Sequence, residues 1–125
     1  MITSWDKFED VAELYKEWTE KELTETVQLN AHLVIARDGE TIIGAAQLLV
    51  IDDPVWGRRW GLVENVYVKE GYRKKGIGSD LMSAIETQAI GLGCKFIKLT
   101  SRKKEGKALY RSLGYEEGSS FRMEL

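Results

Sequence analysis

Arg73-Lys74-Lys75-Gly76-Ile77-Gly78 sets three cations beside two closely spaced glycines, between an apolar, strand-like run and an amphipathic helical one. A chain that turns through glycine into a helix leaves several backbone N–H groups unpaired and pointing outwards, where the helix dipole also favours negative charge. Gly76 and Gly78 lack the Cβ atoms that would hold a phosphate off that backbone, while Arg73, Lys74 and Lys75 add positive charge around it. The chemistry on offer is anion binding; a basic surface turn that caps a helix is the plainer alternative. The loop is not a Walker A sequence, because no Gly-Lys-Ser/Thr follows four variable residues. Nor is it the G-x-G-x-x-G of a dinucleotide fold, because Leu81 stands where the third glycine belongs. Other reactive groups are few. Cys94 is the single cysteine, which excludes an intrachain disulfide and reads as a small buried residue. With His32 as the single histidine, the usual ligands of a structural zinc site are missing, and no metal is expected.

The elements that position the loop follow from periodicity. A chain of 125 residues with 43% hydrophobic content suits one domain over residues 1–125. Phe8, Val11, Ala12, Tyr15 and Trp18 recur at helical spacing within residues 6–29, with Ser4 or Asp6 available as N-cap. Two apolar runs, 32–36 and 41–51, flank Arg37-Asp38-Gly39-Glu40, and Asp-Gly in that setting predicts an antiparallel hairpin. Residues 52–59, with the single proline, form the turn into a third strand, Trp60 to Val68. Ile77, Leu81, Ala84, Ile85 and Ala89 mark one face of a helix that stops near Gly91 or Gly93. Lys95 to Leu99 reads as a short strand, 105–113 as a helix ended by Gly114, and Tyr115 with Ser119 to Leu125 as a last strand. The strands before and after the central helix are expected to be parallel neighbours, which makes the class α/β with a mixed sheet.

The loop also fits R/Q-x-x-G-x-G/A, and the stretch from Leu62 through Val66-Tyr67-Val68 and the loop to Met82 resembles the strand, phosphate loop and helix of the GNAT superfamily of N-acetyltransferases. Ala108-Leu109-Tyr110-Arg111-Ser112-Leu113-Gly114-Tyr115 is similar to that family's L-Y-x-x-x-G-F/Y segment. The likeness runs from about residue 31 to the end and is loose over 1–30, where the usual first strand is missing or reduced to Met1 to Thr3. The resemblance implies a mixed, mostly antiparallel sheet with helices on both faces and a splayed central parallel strand pair. It implies acetyl-CoA as co-substrate in that splay: backbone groups of Val66 and Val68 hold the pantetheine and thioester, and N–H groups from Arg73, Lys74, Lys75, Gly76, Ile77, Gly78 and Ser79 take the pyrophosphate.

The reaction that such a site implies is direct attack of a neutral amine on the thioester carbonyl in a ternary complex. A base must take the ammonium proton, N–H donors must hold the oxyanion, and an acid must protonate the departing thiolate. By the resemblance Glu64 is the base, through water, and Tyr110 the acid. Period-2 alternation puts Glu64, Val66 and Val68 on one side of an ideal strand, a parity that a bulge would alter. Relatives often carry an asparagine before the tyrosine helix; here the segment is Arg102-Lys103-Lys104-Glu105-Gly106, where Lys103 or Lys104 either takes a CoA phosphate instead or belongs to a solvated basic turn, the plainer reading.

The acceptor is a small-molecule or peptide amine, with Trp56 and Trp60 the residues placed to frame its pocket; packing of the same rings is the plainer reading. Residues 1–60 hold 12 acids and 6 bases, and residues 61–125 hold 8 acids and 12 bases. A basic second half suits a phosphorylated small molecule, while the overall charge of -2 argues against nucleic acid as the main partner. No run of about 18 apolar residues occurs and the N-terminus lacks a basic-then-apolar leader, so a cytoplasmic protein without a membrane partner is expected. The resemblance adds a homodimer through the C-terminal strand. A non-catalytic acyl-CoA sensor of the same fold is the competing reading.

Overall fold

The computed structural model describes residues 2–5, 7–22, 31–101, 104–118 and 120–125. Seven strands form one sheet: β1 (Ile2–Trp5), β2 (Ala31–Asp38), β3 (Thr41–Asp53), β4 (Arg58–Val68), β5 (Phe96–Leu99), β6 (Glu116–Glu117) and β7 (Phe121–Glu124). Their spatial order is β1-β2-β3-β4-β5-β7-β6, antiparallel throughout except for the parallel pair β4–β5. The β2–β3 hairpin turns at Gly39, whose φ of +62° is the left-handed conformation that Asp-Gly favours.

Helix α1 (Ala12–Thr19) covers one face and α2 (Ile77–Gly91) the other, with α3 (Lys104–Ser112) beside it. On the α2 face, Leu81, Met82, Ile85 and Ala89 interlock with Val34, Ala46, Leu48, Val63, Ile97 and Leu99. The α1 face is a smaller core of Val11, Leu14 and Tyr15 against Leu33, Ile35, Ala45 and Tyr67. Each fully buried aliphatic of the α2 stripe contributes about 1.5–3 kcal/mol. That helix stops because Gly93 turns left-handed at φ +82° and the Cys94 N–H reaches back to the Ala89 carbonyl at 2.9 Å, a Schellman-type ending.

Four expectations need correction. The first strand is neither missing nor limited to Met1 to Thr3: β1 runs to Trp5, paired along β2 from Ile2↔Ala36 to Trp5↔Leu33. Ser4 is therefore a strand residue whose hydroxyl donates to Gln88 at 3.0 Å, not a helix cap; Asp6 lies outside the described residues. The N-terminal helix is short, opening with a 3-10 turn at Phe8–Val11 and closing where Glu20 adopts φ +59°; residues 23–30 lie outside the described residues. The last strand is a hairpin, β6 and β7, with β7 inserted between β5 and β6.

Candidate active site

The parallel pair holds together over two positions, Gly61↔Ile97 and Leu62↔Lys98. Beyond them β5 ends at Leu99 while β4 continues to Val68, so the β4 edge from Val63 onwards has no ladder partner on the β5 side. The result is a fork whose open side carries backbone groups, the setting in which an extended ligand adds as a strand.

Inside the fork β4 contains a bulge. Ala45 faces Tyr67 but Gln47 faces Glu64, so Asn65 and Val66 together oppose Ala46. Asn65 is the residue that turns, at φ +54°, a conformation asparagine tolerates better than most side chains. Two hydrogen bonds pin it: its carbonyl accepts from the Tyr15 hydroxyl at 2.7 Å, and its Nδ2 donates to Gln47 Oε1 at 2.7 Å. The extra residue overturns the ideal-strand parity. Ala46 and Leu48 belong to the α2-face core and Ala45 to the other, so alternation puts Gln47, and its partner Glu64, on the α1 face. Val66 and Val68 pack against the α2-face core instead. Glu64 is half-buried and takes part in no ion pair between described residues.

The loop leaves β4 at Val68 and enters α2 through Gly76, which occupies the N-cap position at φ +84° without any side-chain cap. The first backbone bond of the helix runs from the Asp80 N–H to the Gly76 carbonyl at 3.0 Å, which leaves the preceding N–H groups of Ile77, Gly78 and Ser79 directed out of the helix end. The two glycines serve different ends. Gly76 needs its backbone conformation, since a Cβ there would meet nothing within 4 Å. At Gly78 a Cβ would stand 3.2 Å from Leu109 Cδ2, a tight contact that the leucine side chain relieves by giving a few tenths of an ångström.

The basic side chains behave differently from the simple picture of a cationic ring. Arg73 turns back onto the strand, its Nε donating to the Val68 carbonyl at 2.9 Å and its guanidinium lying 5.3 Å from the Tyr67 ring centroid. Lys75 lies over Tyr72 at 5.7 Å, and Lys74 is exposed with φ +61°. Lys103 and the Lys104 side chain lie outside the described residues.

Tyr110 projects from α3 into the α2-face core, 6% exposed, with the rings of Tyr115 and Phe121 at 5.8 and 5.7 Å. Burial alone raises its hydroxyl pKa above the ordinary phenol value, so the group keeps its proton at neutral pH. Glu64 and Tyr110 thus lie on opposite faces of the sheet. The two tryptophans part company: Trp56 is 74% exposed on the β3–β4 turn, whereas Trp60 stacks on Phe96 at 5.5 Å on β4. Cys94 is buried, which pushes its thiol pKa up, and His32 lies with Nδ1 3.4 Å from Gln88 Nε2, at the β2–α2 contact. The Tyr15 and Asn65 clamp on the bulge is the feature that periodicity did not single out. Its available signal was an asparagine, tolerant of left-handed backbone, inside an otherwise regular strand pattern.

Solved structures share this architecture at low identity. An acetyltransferase from Trypanosoma brucei matches with a TM-score of 0.78 and 21% identity, over 94% of this chain and 93% of that one. An aminoglycoside acetyltransferase from an uncultured soil metagenomic sample, solved with sisomicin, matches at 0.80 and 17%, over 94% and 90%. A ribosomal-protein-alanine N-acetyltransferase from Brucella melitensis biovar Abortus matches at 0.79 and 20%, over 94% and 93%. Among the described residues no helix is long and apolar enough to cross a membrane. Residues 3–115 match the family model described as "Acetyltransferase (GNAT) family". That span holds the fork, the bulge, the glycine loop and Tyr110. On that match, the chain belongs to the GNAT acetyltransferase family.

Proposed function

We propose that the protein transfers the acetyl group of acetyl-CoA to a primary amine, and that the fork between β4 and β5 is where the transfer takes place. The residues present fit that co-substrate. The β4 edge past Leu62 is open to an extended chain, and the helix end at Gly76 offers N–H groups with no side-chain cap in front of them. Val66 and Val68 hold the pantetheine arm through their backbones, and the N–H groups from Arg73 to Ser79 bind the pyrophosphate. Arg73 acts chiefly by fixing the strand end, since its Nε is committed to the Val68 carbonyl. Bound there, acetyl-CoA supplies an acetyl group activated as a thioester.

Glu64, on the α1 face, takes the proton of the incoming ammonium through a water molecule. Tyr110, on the other face, gives its hydroxyl proton to the departing sulfur, and burial keeps that proton in place until it is needed. The observation that supports this reading is the bulge at Asn65, which puts Glu64 on the α1 face and Val66 and Val68 on the other, beside the open β4 edge. The acceptor is a small-molecule or peptide amine, in keeping with the aminoglycoside acetyltransferase of similar fold. A cytoplasmic location and a homodimer complete the proposal.

Thiol release from acetyl-CoA, followed across ethanolamine, putrescine, β-alanine and O-phosphoethanolamine, tests it. Release with at least one amine, abolished in Glu64→Gln, is expected. Tight acetyl-CoA binding without release from any amine identifies a sensor instead.

A further inference from the structure

Among the described residues no helix packs over β5 and β7 on the α1 face of the sheet, yet Phe96 on that face is 1% exposed. What covers it is charged. Arg122 lies 3.8 Å, Arg58 5.0 Å and Lys98 5.5 Å from the one ring centroid, with Trp60 stacked alongside. Cations favour an aromatic face, but three of them brought to one ring repel one another unless counter-charges are present. Arg122 has its counter-ion in Glu124, and Arg58 lies 4.0 Å from Asp53. Lys98 has no carboxylate within 4 Å among the described residues. The Arg58 Nε is buried and faces Asp53 at 4.0 Å, so it is closed to a ligand. Of the three cations, Lys98 alone is left without a counter-charge among the described residues.

The place of Lys98 in the fold gives that surplus a direction. Lys98 pairs with Leu62, the last position before the strands part, and Glu64 is the next residue of β4 on the same face. Successive same-face residues of a strand lie about 7 Å apart, so a small amine whose nitrogen sits at Glu64 reaches the Lys98 end of the face with its far terminus. Resting on the acetyl-transfer reading above, we infer that the acceptor carries an anionic group, a phosphate or a carboxylate, which Lys98 binds while the amine faces Glu64. Leu62 forms the apolar floor between the two ends, and the Trp60 ring lies 5.3 Å from the Lys98 ammonium. A cationic far terminus, as in a polyamine, meets repulsion here.

The four amines named above differ mainly in their far terminus and decide the matter. With the wild type, kcat/KM is highest for O-phosphoethanolamine or β-alanine, and which of the two leads distinguishes phosphate from carboxylate. In Lys98→Gln the ratio of kcat/KM for that amine over ethanolamine falls by about tenfold or more, mainly through KM, the size of one charge-assisted hydrogen bond. Lys98→Arg recovers most of it, and the exposed Lys95→Gln leaves the ratio unchanged. Release that favours putrescine, or an equal loss for every amine in Lys98→Gln, overturns the anionic acceptor while the transfer reading stands. No release from any amine overturns both.

Discussion

Asn65 offers a sharp perturbation because its role depends on backbone conformation as well as on its side chain. At φ +54° a β-branched residue is strained by roughly 1–2 kcal/mol relative to the right-handed regions, whereas glycine is not. Either substitution also forfeits the exposed bond to Gln47 Oε1, which contributes about 0.5–1.5 kcal/mol. Asn65→Val is thus expected to cost about 2–3 kcal/mol, and Asn65→Gly to stay within about 1 kcal/mol because relief of strain offsets the lost bond. Neither exhausts a typical domain stability of about 5–15 kcal/mol, so both variants fold. The catalytic effect diverges further. Valine favours an unbulged β4, which would bring Glu64 towards the face of Val66 and remove it from the amine, and a displacement of an ångström or more at a reacting group costs about a hundredfold. Urea denaturation at constant m-value reads the first effect and thiol release the second. Equal stability and equal turnover in the two variants would refute the claim that the bulge sets the face on which Glu64 works.

Gly78→Ala places a methyl 3.2 Å from Leu109 Cδ2, the end of a flexible side chain, and is expected to change stability by less than about 1 kcal/mol, because the helix propensity of alanine offsets the tight contact; urea denaturation of the variant alone and in a Leu109→Ala background will show it. Tyr110→Phe is expected to reduce kcat by about 10²-fold or more while acetyl-CoA affinity measured by calorimetry stays within about twofold. The acid works in its protonated form, which is present below its pKa and lost above it. Because burial raises that pKa, the alkaline limb of the kcat profile lies above the ordinary phenol value of 10.0, and Tyr110→Phe lacks it.

Much of the frame was legible because it rests on local rules. Asp38-Gly39 announced its hairpin, and the 3.6-residue spacing from Ile77 to Ala89 with Gly93 beyond it announced α2 and its end. The glycine loop was legible as a helix entry for the same reason. The misses share a physical cause. Four residues, Ile-Thr-Ser-Trp, are too few to show a period, so β1 declares itself only through its pairing with β2. An ideal strand over Val63 to Val68 keeps Glu64 and Val66 on one side, and a single left-handed residue shifts the side chains beyond it to opposite faces. The unequal parts of Gly76 and Gly78 depend on Leu109, thirty-one residues further along the chain. The convergence of Arg58, Lys98 and Arg122 on Phe96 is likewise assembled from three separate strands, and no local window contains it.

Titrating CoA into isotope-labelled protein and following the backbone amides by NMR tests the fork most directly. The largest perturbations are expected at Val63 to Val68 and at Ile77, Gly78 and Ser79, with β1 and the β6–β7 turn unmoved. Perturbations confined to other elements, or saturation by ATP at lower concentration than by CoA, would contradict the assignment of this cleft to acetyl-CoA.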